Sequence, residues 1–441
     1  MKIVQAAGWY YPDSIGGIEV YTAGLSKRLQ LVGHEVFIIA PHIKNSQERS
    51  YDYEGLSVYR YPIPPYPTRK ESLGLVPLRG TEYFRNWLLK LRPDVVHFQS
   101  LNLGLGVSQV KAAKARGARV ILTSHPNAQD YFCKRGTLLY RGKEVCDGIR
   151  RVKRCASCVL EKKHMPRGIA DMIGLIPPVL GRFMMFAPYG IGTALGMSYL
   201  VSVDKEKYCQ LLSIADKFVV LTQASYDMAI SNGFPREKLF LNKLGISENY
   251  VVKKVSSSDA PTRKPVKIGY LGRFDEIKGI FDFTKAVASL SADIPFSLEF
   301  VGPVLTLGER PNLEKMKAMM ASDKRVVFSP TVAHEKVFDL LRGYDVLCCP
   351  SSCFEGPTTT ALEAYAVGTP VIGTKIGGLA EIITDKVNGR LFNPGDWQAL
   401  AEIIKEISID PAGTIDQWRK NIPTIRTMDQ ITKDYLEIYS A

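Results

Sequence analysis

The chain has 441 residues, which is long enough for two domains of ordinary size, each with its own core. Hydrophobic residues make up 46% and charged residues 23%, and the sequence has no internal repeat or low-complexity tract, which argues against a solenoid, a coiled coil or a disordered chain. The formal net charge is +13. Residues 133–167 carry eleven basic and three acidic residues, so most of this excess belongs to one segment, which predicts a local anionic partner.

The first residues lead directly into an apolar strand and lack the hydrophobic core of a secretory signal. We therefore expect a cytoplasmic protein with eight reduced cysteines. Short apolar runs then alternate with helical patterns, which is typical of a parallel sheet buried on both faces. The predicted strands are Lys2–Ala6, Glu35–Ala40, Val95–Phe98, Arg119–Thr123 and Lys217–Leu221, and the predicted helices include Ile18–Val32 and Gly104–Arg116.

Residues 252–265 break this pattern, because they are polar, rich in serine and bounded by proline, as in an interdomain linker. A second alternating series follows in residues 265–420, so we expect an α/β protein with domains at residues 1–252 and 265–420. Two Rossmann-like domains with parallel sheets facing across a cleft would bind ligands there. The predicted strands of the second series are Val266–Leu271, Ser297–Val301, Val326–Phe328, Val346–Cys349 and Pro370–Thr374.

The alternation stops between residues 124 and 203, a length that predicts a folded insertion rather than an unstructured loop. Four cysteines lie within 26 residues of this segment, and the last two have the two-residue spacing of a metal knuckle. Thiolates in this pattern can hold a structural zinc ion or an iron–sulfur cluster, and the alternative is a set of free thiols. The candidate ligands are Cys133, Cys146, Cys155 and Cys158.

The same insertion contains an uncharged run of 21 residues at positions 183–203, which is long enough to span a membrane. A span would divide a Rossmann-like domain, and Pro188 with several glycines weakens a continuous helix. Two interpretations remain. The segment packs over an acceptor cleft, or it enters a bilayer interface while the basic segment binds anionic headgroups. The second makes an anionic membrane surface a partner through residues 133–203 and the protein peripheral on the inner face of the membrane.

The most informative motif is residues 354–364, which contain Glu355 and Glu363 eight positions apart. Pro357 suits the first position of a helix, where its missing N–H has no cost, and the helix start favours an anion. Glu355 would then precede the helix, and Glu363 would lie roughly 9 Å further along its axis. Such carboxylates can accept hydrogen bonds from sugar and ribose hydroxyls. The N–H groups expected to face the anion are those of Thr358 and Thr359.

A second motif, residues 269–279, follows the first predicted strand after the linker and carries Gly272, Arg273 and Lys278. Two cations at the end of a strand can clamp a diphosphate and stabilise it as a leaving group. The alternative is a capped turn with two solvated cations.

These motifs resemble those of the family 4 retaining glycosyltransferases, whose fold is GT-B and whose donors are nucleotide diphosphate sugars. The resemblance implies that Glu355 binds hydroxyls of the transferred sugar and Glu363 the ribose, while residues 356–358 hold the distal phosphate or the sugar. It also implies that Arg273 and Lys278 hold the diphosphate. The donor-binding residues implied are Gly16, Gly17, Gly272, Arg273, Lys278, Thr331, Val332, Glu355, Gly356, Pro357, Thr358, Thr359 and Glu363.

The resemblance extends to smaller features of both halves. It implies that the loop at Gly16 and Gly17 reaches the diphosphate across the cleft, and that the nucleobase lies against the loop at residues 331–332. His125, at the end of an apolar strand, would contact the transferred sugar near the reacting carbon, and the alternative is a structural histidine. A C-terminal helix at about residues 424–441 would cross back to the first domain. The catalytic residues implied are His125, Arg273, Lys278 and Glu355.

The reaction implied by the resemblance is transfer with retention of the anomeric configuration, by front-face displacement in which the donor's phosphate oxygen accepts the acceptor's proton. No Asp-x-Asp metal clamp follows a predicted strand, so we expect no catalytic metal, and zinc only in a structural role. The donor implied by the resemblance is a UDP-, GDP- or ADP-sugar. Domain closure would assemble the site. The expected acceptor is a glycan, either a lipid-linked intermediate or a polysaccharide precursor.

Other functions remain open from the sequence. An epimerase or phosphorylase of the same fold is one, although the spacing of Glu355 and Glu363 favours transfer. A basic nucleic-acid- or membrane-binding module is another, but the basic segment lacks the regular aromatic residues of nucleic-acid readers, and no nucleic-acid partner is expected. An NAD-dependent oxidoreductase is disfavoured because neither glycine-rich loop follows Gly-x-Gly-x-x-Gly.

Overall fold

In the computed structural model, the described residues are 1–14, 16–43, 47–102, 104–125, 132–246, 264–304, 308–356 and 358–440. The chain divides into two units: Met1–Lys243 with Asp429–Ala441, and Leu244–Met428. The division falls at residue 243, before the linker predicted for residues 252–265. Most of that linker lies outside the described residues.

The first unit is built on a sheet of eight strands in the order β10-β9-β6-β5-β1-β2-β4-β3, and β7 and β8 form a separate hairpin. All neighbours in the sheet are parallel except the antiparallel pair of β3 and β4. The strands are β1 (Lys2–Ala6), β2 (Glu35–His42), β3 (Arg49–Tyr53), β4 (Leu56–Pro62), β5 (Val95–Phe98), β6 (Arg119–Ser124), β7 (Leu139–Tyr140), β8 (Glu144–Val145), β9 (Lys217–Val220) and β10 (Leu239–Leu241).

Burial explains which strands the sequence pattern revealed. The central strands β1 and β5 are buried along nearly their whole length and are almost continuous apolar runs, so they were predicted. The edge strand β3 is largely exposed and polar, and β4 is interrupted by the buried Arg60, so neither was predicted. The expected parallel α/β architecture is nevertheless confirmed for this unit.

Helices cover this sheet and build the insertion. Among the described residues of the first unit they are α1 (Gly17–Leu31), α2 (Arg69–Ser72), α3 (Thr81–Leu91), α4 (Val107–Lys114), α5 (Val152–Lys162), α6 (Arg167–Gly174), α7 (Pro178–Met184), α8 (Tyr189–Leu195), α9 (Met197–Ile214), α10 (Gln223–Ser231) and the C-terminal α18 (Met428–Ser440).

The insertion has a small core of its own. Side chains of α5, α6 and α9, among them Leu160, Ala170 and Leu200, are buried in one apolar cluster. The uncharged run at residues 183–203 is divided among α7, α8 and α9, with Pro188 directly before α8. In the part of the chain that the structure describes, no helix has both the length and the hydrophobicity needed to cross a bilayer.

The second unit contains a six-stranded, wholly parallel sheet in the order β13-β12-β11-β14-β15-β16. Its main core, which includes Ile268, Phe300 and Ile404, lies between this sheet and flanking helices. Its elements are β11 (Val266–Leu271), α11 (Ile280–Ala288), β12 (Phe296–Val301), α12 (Glu309–Met320), β13 (Val326–Ser329), α13 (Val337–Arg342), β14 (Val346–Cys349), α14 (Thr359–Ala366), β15 (Val371–Thr374), α15 (Leu379–Ile382), β16 (Gly389–Phe392), α16 (Trp397–Ile409) and α17 (Ile415–Lys420).

Two buried tyrosines fasten helix α18 to the sheet of the first unit. The Tyr439 hydroxyl lies 2.7 Å from Nδ1 of His97 on β5 and accepts a hydrogen bond of 3.2 Å from the Gln5 amide on β1. The Tyr435 hydroxyl lies 3.0 Å from Oγ1 of Thr123 on β6. All these side chains are buried, so each hydroxyl satisfies groups that water does not reach.

Replacing Tyr439 with Phe should lower the free energy of unfolding of the first unit by about 1–3 kcal/mol, because Gln5 and His97 would each lose a buried partner. Urea denaturation followed by fluorescence measures this loss. The matched control is Tyr66→Phe, since that side chain is 88% exposed, and its effect should be within about 0.5 kcal/mol. Equal stabilities of the two variants would contradict the assigned role of the hydroxyl.

Candidate functional site

The candidate site in the second unit lies where β11 and β14 end. These strands are neighbours in a parallel sheet, so the loops that follow them leave from the same edge. The two loops are joined directly, because the N–H of Ser352 donates a hydrogen bond of 2.8 Å to the carbonyl of Ile277. The structure therefore brings together the two motifs that the sequence separates by almost eighty residues.

At the centre of this edge, the ammonium group of Lys278 forms an ion pair with the carboxylate of Glu355. Glu355 is only 5% exposed, and its second oxygen accepts a hydrogen bond of 3.0 Å from the Ser351 hydroxyl. The Cys353 thiol lies 3.5 Å from the first oxygen. Burial opposes the charge on Lys278, but the adjacent carboxylate outweighs it and raises the pKa of the lysine. Lys278 is therefore an ammonium ion throughout the neutral range.

Close backbone packing fixes the positions of both charged side chains. Gly279, which follows Lys278, has φ +71°, and a Cβ there would lie 1.7 Å from the carbonyl oxygen of Pro350. On the other side, the N–H of Gly378 donates a hydrogen bond of 2.7 Å to the Glu355 carbonyl. Gly377 has φ +59°, and a Cβ there would lie 2.2 Å from the same carbonyl oxygen. Glycine is needed at both positions for the loops to approach this closely.

Arg273 lies in the same loop as Lys278, but it has an acidic neighbour of its own. Its guanidinium is 3.5 Å from the Glu309 carboxylate, which is almost fully buried, and 4.0 Å from that of Asp275. With 37% of its side chain exposed, Arg273 remains accessible to an anion. Gly272, the residue before it, donates its N–H to the carbonyl of Val301. The sequence motif gave no sign of Glu309, which follows a different strand.

Helix α14 begins later than the sequence predicted. Its N-cap is Thr358, whose hydroxyl accepts a hydrogen bond from the N–H of Ala361, and Thr359 is its first residue. The prediction that Pro357 is the first helical residue was therefore wrong, because a capping threonine starts the helix two residues further on. Pro357 itself lies outside the described residues, and the adjacent Gly356 is buried.

The later start changes which groups can bind an anion. The N–H groups of Thr359 and Thr360 make no hydrogen bond to any described residue, so Thr360 is a further free donor beside the expected Thr358 and Thr359, whose role at an anion stays a prediction. The positive end of the helix dipole adds to their attraction for an anion. Glu363 lies only about one turn inside the helix, roughly 6 Å from its first residue, instead of the 9 Å expected.

Glu363 differs electrically from Glu355. Among the described residues, no nearby cation offsets the effect of burial on Glu363, and burial raises the pKa of this side chain from the ordinary value of 4.5 to about 7. A carboxyl group with this pKa exists in both forms near neutrality. It can therefore donate as well as accept a hydrogen bond with a hydroxylated ligand.

Thr331 and Val332 lie in the loop after β13, the edge strand of the sheet. Two strands, β12 and β11, separate β13 from β14, so this loop leaves the sheet at a distance from Glu355. Thr331 is exposed and Val332 partly buried. A nucleobase-binding role for them stays a prediction.

In the first unit, Gly16 is the N-cap of α1 and Gly17 is its first residue, as expected for a loop that exposes a helix start. The carboxylate of Glu19 lies at the same helix start, where it accepts a hydrogen bond of 2.7 Å from the Ser14 hydroxyl. A Cβ at Gly16 would lie 2.7 Å from this carboxylate. Any anion at this helix start would therefore approach a buried acidic side chain, which the sequence interpretation did not include.

His125 lies directly after β6 and belongs to a buried polar network. Its Nε2 is 2.9 Å from the amide oxygen of Gln99, and Gln99 in turn donates a hydrogen bond of 2.9 Å to Gln5. The ring of Tyr21 packs edge-on against the imidazole at 5.1 Å. Burial lowers the pKa of His125 to about 3. His125 is therefore neutral at physiological pH, which suits a hydrogen-bonding role better than that of an ionised acid.

The described residues contain no group of three or more histidine, cysteine or acidic side chains arranged to hold a metal ion, so the predicted structural zinc site does not fit the geometry. Cys155 and Cys158 lie within helix α5 rather than in a knuckle turn. The Cys158 thiol is buried against the hairpin, where it accepts a hydrogen bond of 3.2 Å from the N–H of Arg141. All four cysteines, including Cys133 and Cys146, are free thiols.

Several residues that hold the site escaped the sequence analysis. Ser351 and Cys353 contact the Glu355 carboxylate, and Gln99 contacts His125. Ser351 and Cys353 stand within four residues of Glu355, so their position after the apolar strand was an available signal. Gln99 precedes His125 by 26 residues, and only the pairing of β5 with β6 brings the two together.

Comparison with protein families assigns both halves of the chain. The model described as "Glycosyl transferase 4-like domain" matches residues 16–162, and the model described as "Glycosyl transferases group 1" matches residues 253–424. Together these matches cover most of the chain and include both motifs at the edge of the second sheet. The chain belongs to the family 4 glycosyltransferases.

Individual relatives are more distant. A Klebsiella pneumoniae protein described as an "Uncharacterized 42.6 kDa protein in cps region" is 22% identical over 458 residues, which cover 100% of both chains. A D-inositol 3-phosphate glycosyltransferase of Corynebacterium urealyticum is 32% identical over 148 residues, or 32% of this chain and 35% of that protein. A 2-deoxystreptamine glucosyltransferase of Streptomyces kanamyceticus is 31% identical over 34% of this chain and 38% of its own length. The chain thus matches only about a third of these two named enzymes.

Solved structures share the fold at low identity. Sucrose-phosphate synthase from Thermosynechococcus elongatus superposes with a TM-score of 0.67 and 17% identity, covering 100% of this chain and 98% of the other. HepE from Anabaena, in complex with UDP and glucose, has a TM-score of 0.65 and 16% identity over 100% of both chains. The predicted GT-B class, with two α/β domains containing parallel sheets, is confirmed.

The raised pKa of Glu363 predicts a pH dependence of stability. In the unfolded chain this carboxyl group titrates near 4.5, whereas in the folded protein it holds its proton up to about pH 7. The folded state binds more protons in this window, so the free energy of unfolding should fall between about pH 4.5 and 7 by up to roughly 3 kcal/mol. Glu363→Gln removes this decline and should make the protein more stable than wild type at pH 8.

Thermal or urea unfolding of both proteins at pH 5 and pH 8 measures the effect. Glu402→Gln, an exposed position in α16, is the control and should follow the wild-type curve. Parallel pH curves for wild type and Glu363→Gln would show that Glu363 does not titrate as described.

Proposed function

We propose that this protein transfers a hexosyl group from a nucleotide diphosphate sugar, with UDP-sugars the first candidates, to a glycan acceptor. The single observation that supports this most is the Lys278–Glu355 ion pair beside the free N–H groups of α14. It supplies a fixed carboxylate, a permanent cation and a helix start within one loop cluster. A sugar diphosphate needs these three groups, for its hydroxyls and for its phosphates.

Each residue has a part in this proposal. Glu355 accepts hydrogen bonds from the hydroxyls of the transferred sugar, while Lys278 and Arg273 attract the diphosphate. Thr359 and Thr360 donate their N–H groups to the phosphate nearest the helix. Glu363, with its intermediate pKa, binds the ribose hydroxyls. Positive charge at this position stabilises the diphosphate as it leaves, which is the role that a metal ion plays in other transferases.

The proposed stereochemical course is retention without a covalent enzyme intermediate. Glu355 is held by Lys278 and Ser351, an arrangement that suits it to ligand binding more than to attack on the anomeric carbon. In front-face displacement, the bond from the anomeric carbon to the phosphate oxygen breaks as the bond to the acceptor oxygen forms. The acceptor's proton passes to the departing phosphate oxygen, so no protein base is required.

For the donor, the support is that HepE from Anabaena was solved with UDP, with UDP and glucose, and with UDP-glucose. GDP- and ADP-sugars are the alternatives. For the acceptor, the support is the Klebsiella pneumoniae relative, whose description places it in a cps region. A lipopolysaccharide outer core galactosyltransferase, WaaB, also shares the fold, with a TM-score of 0.59. These favour a polysaccharide or lipid-linked precursor as the acceptor.

The experiment is turnover of a panel of UDP-, GDP- and ADP-sugars with candidate glycan acceptors, followed by mass spectrometry. Glu355→Ala and Lys278→Ala should each lower kcat/KM at least about a hundredfold, because each removes one member of the charged pair at the reacting centre. Both variants should keep their circular dichroism spectra. Glu402→Ala and Lys420→Ala, at exposed positions of the same unit, should retain wild-type rates.

Three outcomes would overturn the proposal. Wild-type rates in both site variants would show that Glu355 and Lys278 are not part of the active site. Release of a sugar phosphate would indicate a phosphorylase. An increase in melting temperature with NAD, but not with UDP, GDP or ADP, would indicate an oxidoreductase.

A further inference from the structure

Helices α6, α7 and α8 of the insertion expose a concentration of large apolar side chains. Their exposed fractions range from 39% for Met184 to 82% for Phe186. Proteins seldom expose so many large apolar side chains on consecutive helices to water unless these side chains bind something. This apolar surface consists of Ile169, Met172, Leu175, Val179, Leu180, Phe183, Met184, Phe186 and Ile191.

The exposure is not the result of poor packing, because each helix also has a buried side. On α6, Ala170 and Gly174 face the core of the insertion, and a Cβ on Gly174 would lie 2.2 Å from the Ser157 hydroxyl. Ile169 and Met172, three positions apart on the same helix, lie on its exposed side. The helix therefore has apolar residues on two sides, and the core of the insertion uses only one.

Helix α7 repeats this arrangement. Gly181 is buried against α9, where an added Cβ would lie 3.0 Å from the Ser198 hydroxyl. Val179 and Phe183, four positions apart, are 68% and 65% exposed. A surface helix normally has polar residues on its outer side. Two consecutive helices that reverse this pattern indicate a surface selected for an apolar environment.

Basic side chains border the apolar surface. Lys163 precedes α6, Arg167 is the first residue of α6, and Arg182 lies within α7. These three are exposed and form no ion pair with any described residue. The acid of α6, Asp171, is already paired with Arg141 at 2.6 Å. The surface is thus apolar in its middle and cationic at its border, which complements an anionic lipid bilayer.

The lengths of these helices determine how such a surface can meet a membrane. Helices α6, α7 and α8 have eight, seven and seven residues, or at most about 12 Å each at 1.5 Å per residue. The hydrocarbon core of a bilayer is about 30 Å thick, so these helices would lie in the membrane interface and would not cross the bilayer.

A cavity of about 530 Å³ lies beside one of the basic residues. It is lined by Lys163 together with Arg69, Leu160 and Ala194, so a cation that binds a headgroup has an apolar hollow next to it.

A second copy of the chain is the alternative partner for this apolar surface. In a symmetric dimer the same patch would meet itself and bring Lys163, Arg167 and Arg182 of both copies together. Like charges opposed in this way are unfavourable, whereas anionic headgroups neutralise them.

We propose that the apolar surface of α6–α8 docks the protein on an anionic lipid bilayer, with Lys163, Arg167 and Arg182 bound to headgroups. This goes beyond the proposed transfer reaction and does not depend on which sugar is moved. It gives the basic, apolar insertion a partner, and it would hold a lipid-linked acceptor and the enzyme on the same surface.

The test is flotation of the 441-residue chain with vesicles of phosphatidylcholine alone or mixed with phosphatidylglycerol, at low and high salt. Wild type should bind the mixed vesicles at least about tenfold more tightly than the neutral ones, and salt should weaken this binding. The double variant Phe183→Ser with Phe186→Ser should lose binding to both kinds of vesicle. The double variant Arg167→Gln with Arg182→Gln should lose only the preference for phosphatidylglycerol.

Matched controls are Leu31→Ser, whose side chain is 85% exposed at the end of α1, and Lys90→Gln on α3. Both should bind vesicles like wild type. Unchanged binding of the two double variants, or equal binding of wild type to both vesicle types, would overturn the proposal. So would a dimer in lipid-free sedimentation that Phe183→Ser with Phe186→Ser abolishes. A shift in melting temperature with UDP, measured on the same samples, reports the donor site separately.

Discussion

The buried contact between Lys278 and Glu355 is the interaction on which the candidate site depends. A carboxylate as enclosed as that of Glu355 is costly to ionise without a partner, and the same holds for an ammonium group. The adjacent carboxylate raises the pKa of Lys278, and removal of either side chain takes away the oppositely charged partner of the other. The close approach of Gly279 to Pro350 lets the two loops of this pair meet, and Gly377, in the loop after β15, packs against the backbone of Glu355.

The pair also explains why two acids of one motif differ in character. Glu355 has Lys278 and Ser351 as partners, whereas burial without a cation raises the pKa of Glu363 to about 7. Glu355 therefore has a cationic partner, whereas Glu363 can exchange a proton near neutral pH. The eight-residue spacing in the sequence places both on one loop and helix, and their different surroundings come from residues elsewhere in the chain.

Much of the fold followed from apolar periodicity. Buried central strands such as β1, β11 and β14 have sequences dominated by apolar residues, because parallel strands covered on both faces have no polar side. Strand β3 was missed because an exposed edge strand needs no apolar pattern. The start of α14 was misplaced because Pro357 and Thr358 are both good helix-start residues, and local sequence does not decide between a first-turn proline and a capping threonine.

The contacts of the site were less predictable than its motifs. Glu355, Lys278 and Arg273 stand in recognisable local patterns, but Glu309 reaches Arg273 from the helix after a neighbouring strand. The cysteine spacing suggested zinc because a CxxC pair is typical of metal knuckles, but a helix produces the same spacing with different geometry. For the insertion, the apolar run was evident from the sequence, but only the structure shows which of its side chains face outward.

The most direct measurement of the central claim is hydrogen–deuterium exchange of the whole chain with and without UDP. The loops at residues 272–279 and 350–361 carry the charged pair and the free N–H groups of α14. If they hold the diphosphate, amides in both segments should exchange more slowly when UDP is bound. Protection by UDP that appears elsewhere and spares both segments would contradict the assignment of the donor site.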